Sequence, residues 1–380
     1  MSHSWFFLVF LAVIDISLAA DTGDIQENQE DFRNKCTMEN CFDLSKCRGK
    51  EPRKVFIHPY TVDPGHPEPS PVWRQILQCI RESDFYTEDP SEACLFVLGI
   101  DTTDRDRRSA NYVPDVDSYI ANLPQELWND GRNHIIFNFY HGTFPDYADH
   151  NLGFYTGQAI IARASPSFQS FRECFDISFP LFHENHPYEL EEVEENDMAS
   201  RNTSYLVSFK GKRYVYGIGS GTRNLVHHLH NGKSIIMVTT CKHNNDWQVY
   251  QDDRCQSDNE EYEKWDYDTL LKESTFCLVP RGRRLGSFRF LETLRAGCIP
   301  VVISDDWVLP YSEIIDWSEA ALVVPERLAL TLPEILMTTG RKKVDLLKQK
   351  TVLYYRTYLQ SITTITRTAF EIIFRRLDSL

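Results

Sequence analysis

Hydrophobic positions along the chain switch repeatedly between unbroken apolar runs and helical spacing, and that switching predicts the elements. Residues 54–58, 93–99 and 134–139 are short runs rich in Val, Ile, Leu and Phe, the pattern of buried strands. Residues 72–82 and 117–128 read as helices, 156–164 as another, and 175–179 as a last strand. A second series follows, with strands at 205–209, 234–240, 276–279, 299–303 and 321–324 and helices at 222–230, 267–273 and 287–296. From 341 a long helical pattern places Leu347, Tyr354, Tyr358, Ile362, Ile365 and Phe370 on one broad face. Strands alternating with helices of about ten residues imply mostly parallel, doubly wound sheets, hence two Rossmann-like α/β domains. The expected divisions are an N-terminal domain over 36–188, a linker over 189–203, a C-terminal domain over 204–340 and a final helix over 341–380. The run ELEEVEEND at 189–197, six acids in nine residues, reads as a solvated stretch between domains.

The densest chemistry lies between the strand at 276–279 and the helix at 287–296. Arg281, Arg283 and Arg284 sit in the connection PRGRRLGS, Arg289 in the first turn of the helix, and Ser287 is placed to cap it. Guanidinium forks and backbone N–H groups at a helix start favour a dianion, most simply a diphosphate; the alternative is a solvated basic loop. Arg223 follows the glycine-rich YGIGSGT in the same strand-to-helix setting. Glu292 lies three positions after Arg289, where a carboxylate can accept both hydroxyls of a ribose; a plain i,i+3 ion pair is the alternative, worth a few tenths of a kcal/mol. Lys210, Lys212 and Arg213 end the first strand of this half, either near that edge or as solvated turn charges. Tyr214, Tyr262 and Tyr267 offer faces for a planar base, though tyrosine is also a common core residue.

In the first half, Asp101, Asp104 and Asp106 follow the strand at 93–99, and Asp146 in FPDY follows another. Each could take a proton from an attacking hydroxyl, and each could equally be a cap or a surface carboxylate.

Composition restricts the partners and the compartment. A net charge of −15 excludes nucleic acid and makes any polyanion-binding surface a local feature. Residues 5–14 are an apolar block followed by Asp15 and SLAA, short for a membrane span, which reads as a secretory signal within 1–20; 21–35 is a polar, acidic stem. Ten scattered cysteines without paired C-x-x-C spacing point to disulfides in an oxidising lumen rather than to metal. Asn202-Thr203-Ser204 is a glycosylation sequon.

The segment PRGRRLGSFRFLETLRAGCIPVVIS resembles the signature of the exostosins, the heparan sulfate glycosyltransferases of glycosyltransferase family 47. CTMENCFDLSKC, FYTEDPSEACLFVLGIDTTDRD, LWNDGRNHIIFNFY, FDISFPLF, FKGKRYVYGIGSGTRN and EYEKWDYDTLL fit the same family in order, across nearly the whole chain after residue 35. The likeness is greatest to the half that carries glucuronosyltransferase activity. It implies a GT-B fold, two Rossmann-like domains facing a cleft with a C-terminal helix crossing back. It implies inverting transfer of glucuronic acid from UDP-glucuronate to heparan sulfate, beside another exostosin-type glycosyltransferase. The protein would reside in the Golgi or endoplasmic reticulum lumen, held by a signal anchor or released there by a cleaved signal.

The resemblance further implies that Arg289 and Glu292 contact UDP, and that Cys36–Cys41, Cys47–Cys94, Cys241–Cys255 and Cys277–Cys298 pair, leaving Cys79 and Cys174 for each other. Asp104-Arg105-Asp106 imitates the D-x-D of metal-dependent glycosyltransferases, but GT-B enzymes neutralise the leaving diphosphate with cations and dipoles, so no metal is expected. Three departures from the family are visible. The chain ends at Leu380 without a second transferase domain, so alternating polymerisation is expected to need another protein. Gly221 stands where an acid is expected. Asp305-Asp306 replaces a more neutral pair, and beside a donor carboxylate at roughly 5–6 Å each such charge would cost about 3 kcal/mol at an effective dielectric of about 20. These departures make an accessory subunit, activating a partner polymerase, the second reading.

Overall fold

The computed structural model describes residues 36–182, 201–243 and 247–380. The signal segment, the stem and the acidic run lie outside the described residues. Among those described, no helix is long and apolar enough to cross a membrane.

The first sheet is parallel throughout and runs in chain order: β1 (Lys54–Ile57), β2 (Ala93–Val97), β3 (His134–Asn138), β4 (Ile160–Arg163) and β5 (Ile177–Ser178). Every residue of β2, β3 and β4 is buried, as a parallel sheet covered on both faces requires. One face is covered by α1 (Pro71–Arg81), which starts where Ser70 accepts the amide of Trp73 at 3.2 Å and Pro71 occupies the first helical turn. Its stripe of Trp73, Ile76, Leu77 and Ile80 packs in one cluster with Leu95, Val97, Ile135 and Phe137. The other face meets α2 (Val116–Ala121) and α3 (Gln125–Trp128), one predicted helix divided by Pro124, through Ile120, Trp128, Ile136 and Ile161.

The segment 156–164 holds the strand β4 over Ile160–Arg163, not the expected helix. Gly157 has φ +52, and a Cβ there would lie 2.2 Å from the carbonyl oxygen of Asp130, so the backbone turns where a helix would have to continue. The following apolar residues, lacking polar alternation, fill the place between β3 and β5.

The second sheet is also parallel, with order β10 (Leu322–Val323), β9 (Ile299–Ile303), β8 (Ser274–Pro280), β6 (Tyr205–Lys212) and β7 (Ile235–Thr240). Its order reverses at the β6/β8 pair: the chain leaves β6 toward β7 on one side and leaves β8 toward β9 on the other. Helices α4 (Ser220–Val226), α5 (Cys255–Glu263), α6 (Tyr267–Glu273) and α7 (Arg289–Arg295) connect these strands. Helix α5 was not expected; CQSDNEEYE carries no apolar stripe, and only Cys255 and Asp258 are buried.

After α8 (Leu332–Thr338), the expected single helix over 341–380 is two: α9 (Arg341–Tyr354) and, beyond a π-helical turn at Tyr355–Leu359, α10 (Ile362–Asp378). Ser361 restarts the chain as N-cap, accepting from Thr364 at 3.0 Å. Helix α10 returns to the first domain. Phe370 meets Phe85 at 5.1 Å, Tyr311 donates to the carbonyl of Ile365 at 2.6 Å, and Arg376 donates to the carbonyls of Phe175 and Asp176 at 2.6 and 2.9 Å. Two parallel α/β domains facing a cleft, tied by this returning helix, are the GT-B architecture.

Four disulfides join Cys36–Cys41, Cys47–Cys94, Cys241–Cys255 and Cys277–Cys298. Cys79 and Cys174 are free thiols and do not pair. Cys79 borders Thr363 at the start of α10, whereas Cys174 shares a cavity with Ile372 and Arg376 near its end. Nine residues of helix span about 13 Å, beyond the roughly 7 Å between Cα atoms that a disulfide bridges. Thiol titration of the unreduced, denatured protein is therefore expected to find two reactive groups per chain; a count of zero would put the two cysteines together after all.

Across the first sheet, His58 and His134 stack 5° from parallel with their Nε2 atoms 2.9 Å apart. One imidazole donates and the other accepts, so both are neutral. Burial holds His58 down at about 4 and His134 at about 3, the latter also through His58. Because the folded values lie below the ordinary 6.5, the unfolded chain takes up protons first as pH falls. Stability from this pair is complete above about pH 6.5 and is lost as pH falls toward 4 and then 3. Each histidine is expected to contribute a slope of about 1.4 kcal/mol per pH unit. Urea unfolding at pH 7.0, 6.0 and 5.0 measures it; a flat profile would mean that the pair is not buried and neutral.

Candidate active site

The reversal of strand order at β6/β8 opens a crevice beyond the carboxyl ends of those strands, where ligands of open parallel sheets bind. Two guanidinium groups occupy it. Arg289, from the first turn of α7, donates to the carbonyl of Lys210 and lies 4.6 Å from the centroid of Phe209 and 4.9 Å from that of Tyr267. Arg223, from α4, donates to the carbonyls of Lys212 and Arg281 at 2.6 and 3.0 Å and lies 5.8 Å from the Phe209 ring. The two cations thus flank one phenyl ring, anchored by the carbonyls that end the strands. Burial lowers the pKa of Arg223, and the charge of Arg289 lowers it further. Gly211 makes room for this: a Cβ there would sit 2.9 Å from Nη2 of Arg289 and 2.9 Å from Phe209.

Glu292 completes the group. Its carboxylate accepts from the Tyr267 hydroxyl rather than pairing with Arg289, and burial, with that carboxylate beside it, raises the Tyr267 phenol well above its ordinary value. Lys210 lies 4.1 Å from the centroid of Tyr262 and donates to the carbonyl of Trp265. Arg223, Tyr262, Tyr267, Arg289 and Glu292 therefore come together around the end of β6. Arg213 does not join them: it is buried against Asp252 and Asp258, with contacts of 2.6 and 2.5 Å, as a structural ion pair. Lys212 is exposed.

The arginines of the connecting loop separate in a way that their sequence spacing does not reveal. Arg281 turns to Glu326, at 3.8 Å. Arg283 donates to the Tyr147 hydroxyl of the first domain at 2.6 Å. Arg284 donates to the carbonyls of His141 and Gly142 at 2.6 and 2.8 Å and to the Asp106 carboxylate at 3.0 Å. The amide of Gly286 then donates to Ser165 Oγ at 3.1 Å. Ser287 accepts from the Arg289 amide two residues on, at 3.3 Å, and the N-cap of α7, Phe288, makes no side-chain cap bond. So of the four arginines expected around one anion, Arg289 faces the crevice with Arg223, and Arg283 and Arg284 fasten the loop to the opposite domain.

That opposite domain supplies the carboxylates. Asp101 is buried and accepts from the Ser70 and Thr103 amides and the Thr103 hydroxyl. Asp146 is exposed. Asp104 and Asp106 lie beside Arg284, and burial raises the pKa of Asp104. Arg105, between them, points the other way into its own domain, donating to the carbonyls of Leu152 and Val113. Among the described residues, no group of three His, Cys, Asp or Glu side chains gathers at metal-binding distance. His141 escaped the reading of the sequence. It is buried beneath Arg284, held at about 3 mainly by burial, and its Nδ1 has no hydrogen-bond partner among the described residues. Its position directly after β3 was the available signal.

The family model for the Exostosin GT47 domain matches residues 47–339. The chain belongs to the exostosin family. It is 63% identical to the Exostosin-1 homolog of Caenorhabditis elegans over 91% of this chain and 91% of that protein. It is 50% identical to Exostosin-1 of Drosophila melanogaster over 90% of this chain but only 45% of that one, so it spans about half the length of the longer relative. Among solved structures, HepE of Anabaena in complex with UDP aligns with 85% of this chain and 100% of its own at 11% identity and a TM-score of 0.42.

The points at which this exostosin departs from the family pattern are now placed. Gly221 lies in the first turn of α4 with nothing within 4 Å of where a Cβ would project, so the missing acid leaves open space. Repulsion of a donor by Asp305 and Asp306 requires that they line its pocket, and their contacts lie elsewhere. They line a separate cavity of about 930 Å³ with Trp307, Ile314, Trp317 and Val323. Asp305 and Glu326 cap each other, each backbone amide donating to the other's carboxylate, at 3.1 and 3.0 Å.

The seating of the loop predicts a sensitive glycine. A Cβ on Gly286 would lie 2.4 Å from Ser165 Oγ and 2.6 Å from the carbonyl oxygen of Ala164. Gly286→Ala must push the domains apart, and is expected to cost about 1–3 kcal/mol by overpacking. Calorimetric melting measures it; an unchanged melting temperature would show that the interface is not closed at this point.

Proposed function

We propose that this exostosin transfers glucuronic acid from UDP-glucuronate, with inversion, to a growing heparan sulfate backbone, in the Golgi or endoplasmic reticulum lumen and beside another exostosin-type glycosyltransferase. The observation that carries the reading is the pair Arg223 and Arg289 at the switch point, two guanidiniums on one ring, neither with a salt bridge among the described residues. A diphosphate supplies the charge that such a pair lacks, and both cations are pre-oriented by strand carbonyls. Glu292, one turn along α7, is set to receive ribose hydroxyls, and Tyr262 or Tyr267 to flank the base. As the sugar–phosphate bond breaks, negative charge grows on the diphosphate, and the same cations stabilise it without reorganising. The acceptor hydroxyl attacks the anomeric carbon from the side of the first domain and gives its proton to a carboxylate there. Asp104 and Asp106 are the candidates in position; Asp101 is buried and already accepts three hydrogen bonds within its own domain.

One observation favours the second reading, an accessory subunit with little activity of its own. Asp106 is already neutralised by Arg284, so base action at Asp106 requires that contact to loosen. Glucuronate transfer by the purified chain, alone and with its partner polymerase, separates the two. Arg289→Ala is expected to lower transfer by roughly a hundredfold or more and to weaken UDP binding measured by calorimetry. UDP affinity unchanged in Arg289→Ala would remove the donor site from this crevice. UDP binding without transfer in either setting would leave the accessory role.

A further inference from the structure

A second pocket, of about 150 Å³, lies between the domains beside the Arg223–Arg289 crevice. Its walls are aromatic: Phe144 from the first domain faces Tyr214, Trp247 and Tyr250 from the second. Three arginines border it; Arg213 is already paired with Asp252 and Asp258, which leaves two. Arg108 lies 5.1 Å from the Phe144 centroid; Arg283 lies 5.9 Å from Phe144 and 5.0 Å from Tyr214. Among the described residues no carboxylate lines the pocket, and neither arginine has an acidic partner. In a chain of net charge −15, two unpaired guanidiniums over a box of rings are a local reversal of sign.

We propose that this pocket binds the uronic acid ring of a sugar substrate, its apolar face against the aromatic side chains and its carboxylate between Arg108 and Arg283. The chemistry fits both halves of the ligand. A pyranose presents axial C–H groups that pack on aromatic faces, while the carboxylate matches a guanidinium fork. A purely apolar ligand would leave both cations unpaired, and a free small anion would leave the rings unused. Tyr214, taken from the sequence as a candidate for the nucleotide, lies between the two sites: its ring is 5.2 Å from Arg223 and 5.0 Å from Arg283 and stacks on His243 at 4.6 Å, whereas Tyr262 and Tyr267 lie with Lys210 and Glu292.

The identification of the sugar rests on the transferase reading, under which a uronate carboxylate reaches the cleft from two sources, the donor and the acceptor chain. The test has one arm for each. Affinities are measured by tryptophan fluorescence and calorimetry for wild type and Arg108→Gln. The acceptor arm compares a tetrasaccharide of alternating glucuronic acid and N-acetylglucosamine with its carboxyl-reduced form. The donor arm compares UDP-glucuronate with UDP-glucose. Arg108 is exposed, so the variant is expected to fold. In one arm Arg108→Gln should weaken the carboxylate-bearing ligand roughly tenfold and leave its uncharged counterpart unchanged. Tyr250→Ala should weaken both members of that pair equally. An equal effect of Arg108→Gln on charged and uncharged ligands, or none in either arm, would overturn the proposal. Free UDP, measured in parallel on Arg289→Ala, reports on the donor crevice separately, so loss of that reading and loss of this one give different results.

Discussion

Arg284 is the contact on which the arrangement of the two domains turns. Its guanidinium leaves the second domain, enters the first, and there meets two backbone carbonyls and one carboxylate. A half-buried guanidinium needs most of its N–H groups satisfied to offset desolvation, and these three acceptors are available in only one relative placement of the domains. Gly286, two residues on, lets the backbones approach until its amide reaches Ser165. The loop after β8 is therefore fixed at both ends: by its own sheet through β8, and by the facing domain through Arg284 and Gly286. Everything placed by that loop inherits the constraint, including Arg289 at the start of α7 and Arg283 at the rim of the second pocket.

The constraint also divides the cations between tasks. In sequence, Arg281, Arg283, Arg284 and Arg289 form one cluster, and clustering alone predicts one anion. In space, the loop projects beyond the sheet, so successive residues face different neighbours. Arg284 has acceptors enough within the protein. Arg289 and Arg223 have only backbone carbonyls, each a single lone pair's worth of compensation for a full charge. Arg281 has Glu326 and Arg284 has Asp106, so among the described residues of the cleft the positive charge without an acidic partner is concentrated at the switch point and at Arg108 and Arg283. That distribution distinguishes a ligand site from a basic surface loop.

Much of this was legible in the sequence, for reasons that particular residues make plain. The strand–helix–strand unit at 276–303 announced itself because its apolar runs are long, its helix is periodic and Gly297 ends it. The grouping of Arg289 with Glu292 followed from helical spacing, and that of Arg223 with them followed from strand order. The failures share a cause as well. Residues 156–164 read as a helix because an apolar run without alternation suits either element, and only the demand of β3 and β5 for a partner decides. Cys79 and Cys174 were assigned to each other by elimination, which ignores α10 standing between them. Arg213 was indistinguishable from its neighbours until Asp252 and Asp258, some forty residues later, were brought against it. Tertiary partners far away in sequence override local pattern in each case.

The position of the carboxylates bears on how such a site can act. A base must hold a lone pair toward the acceptor hydroxyl at the moment of attack, and a carboxylate bound by a guanidinium is a weaker base than a free one. Asp106 is so bound, while Asp104, a turn deeper, is pushed toward the protonated form by burial. Neither is at its best with the loop seated as it is. Entry of a diphosphate at Arg289 would bring negative charge close to the root of the same loop, and a carboxyl-bearing sugar would compete for Arg283 at its rim. On the proposed reading, the same short peptide carries the groups that bind substrate and the guanidinium that pairs with Asp106, so the two functions cannot be varied independently.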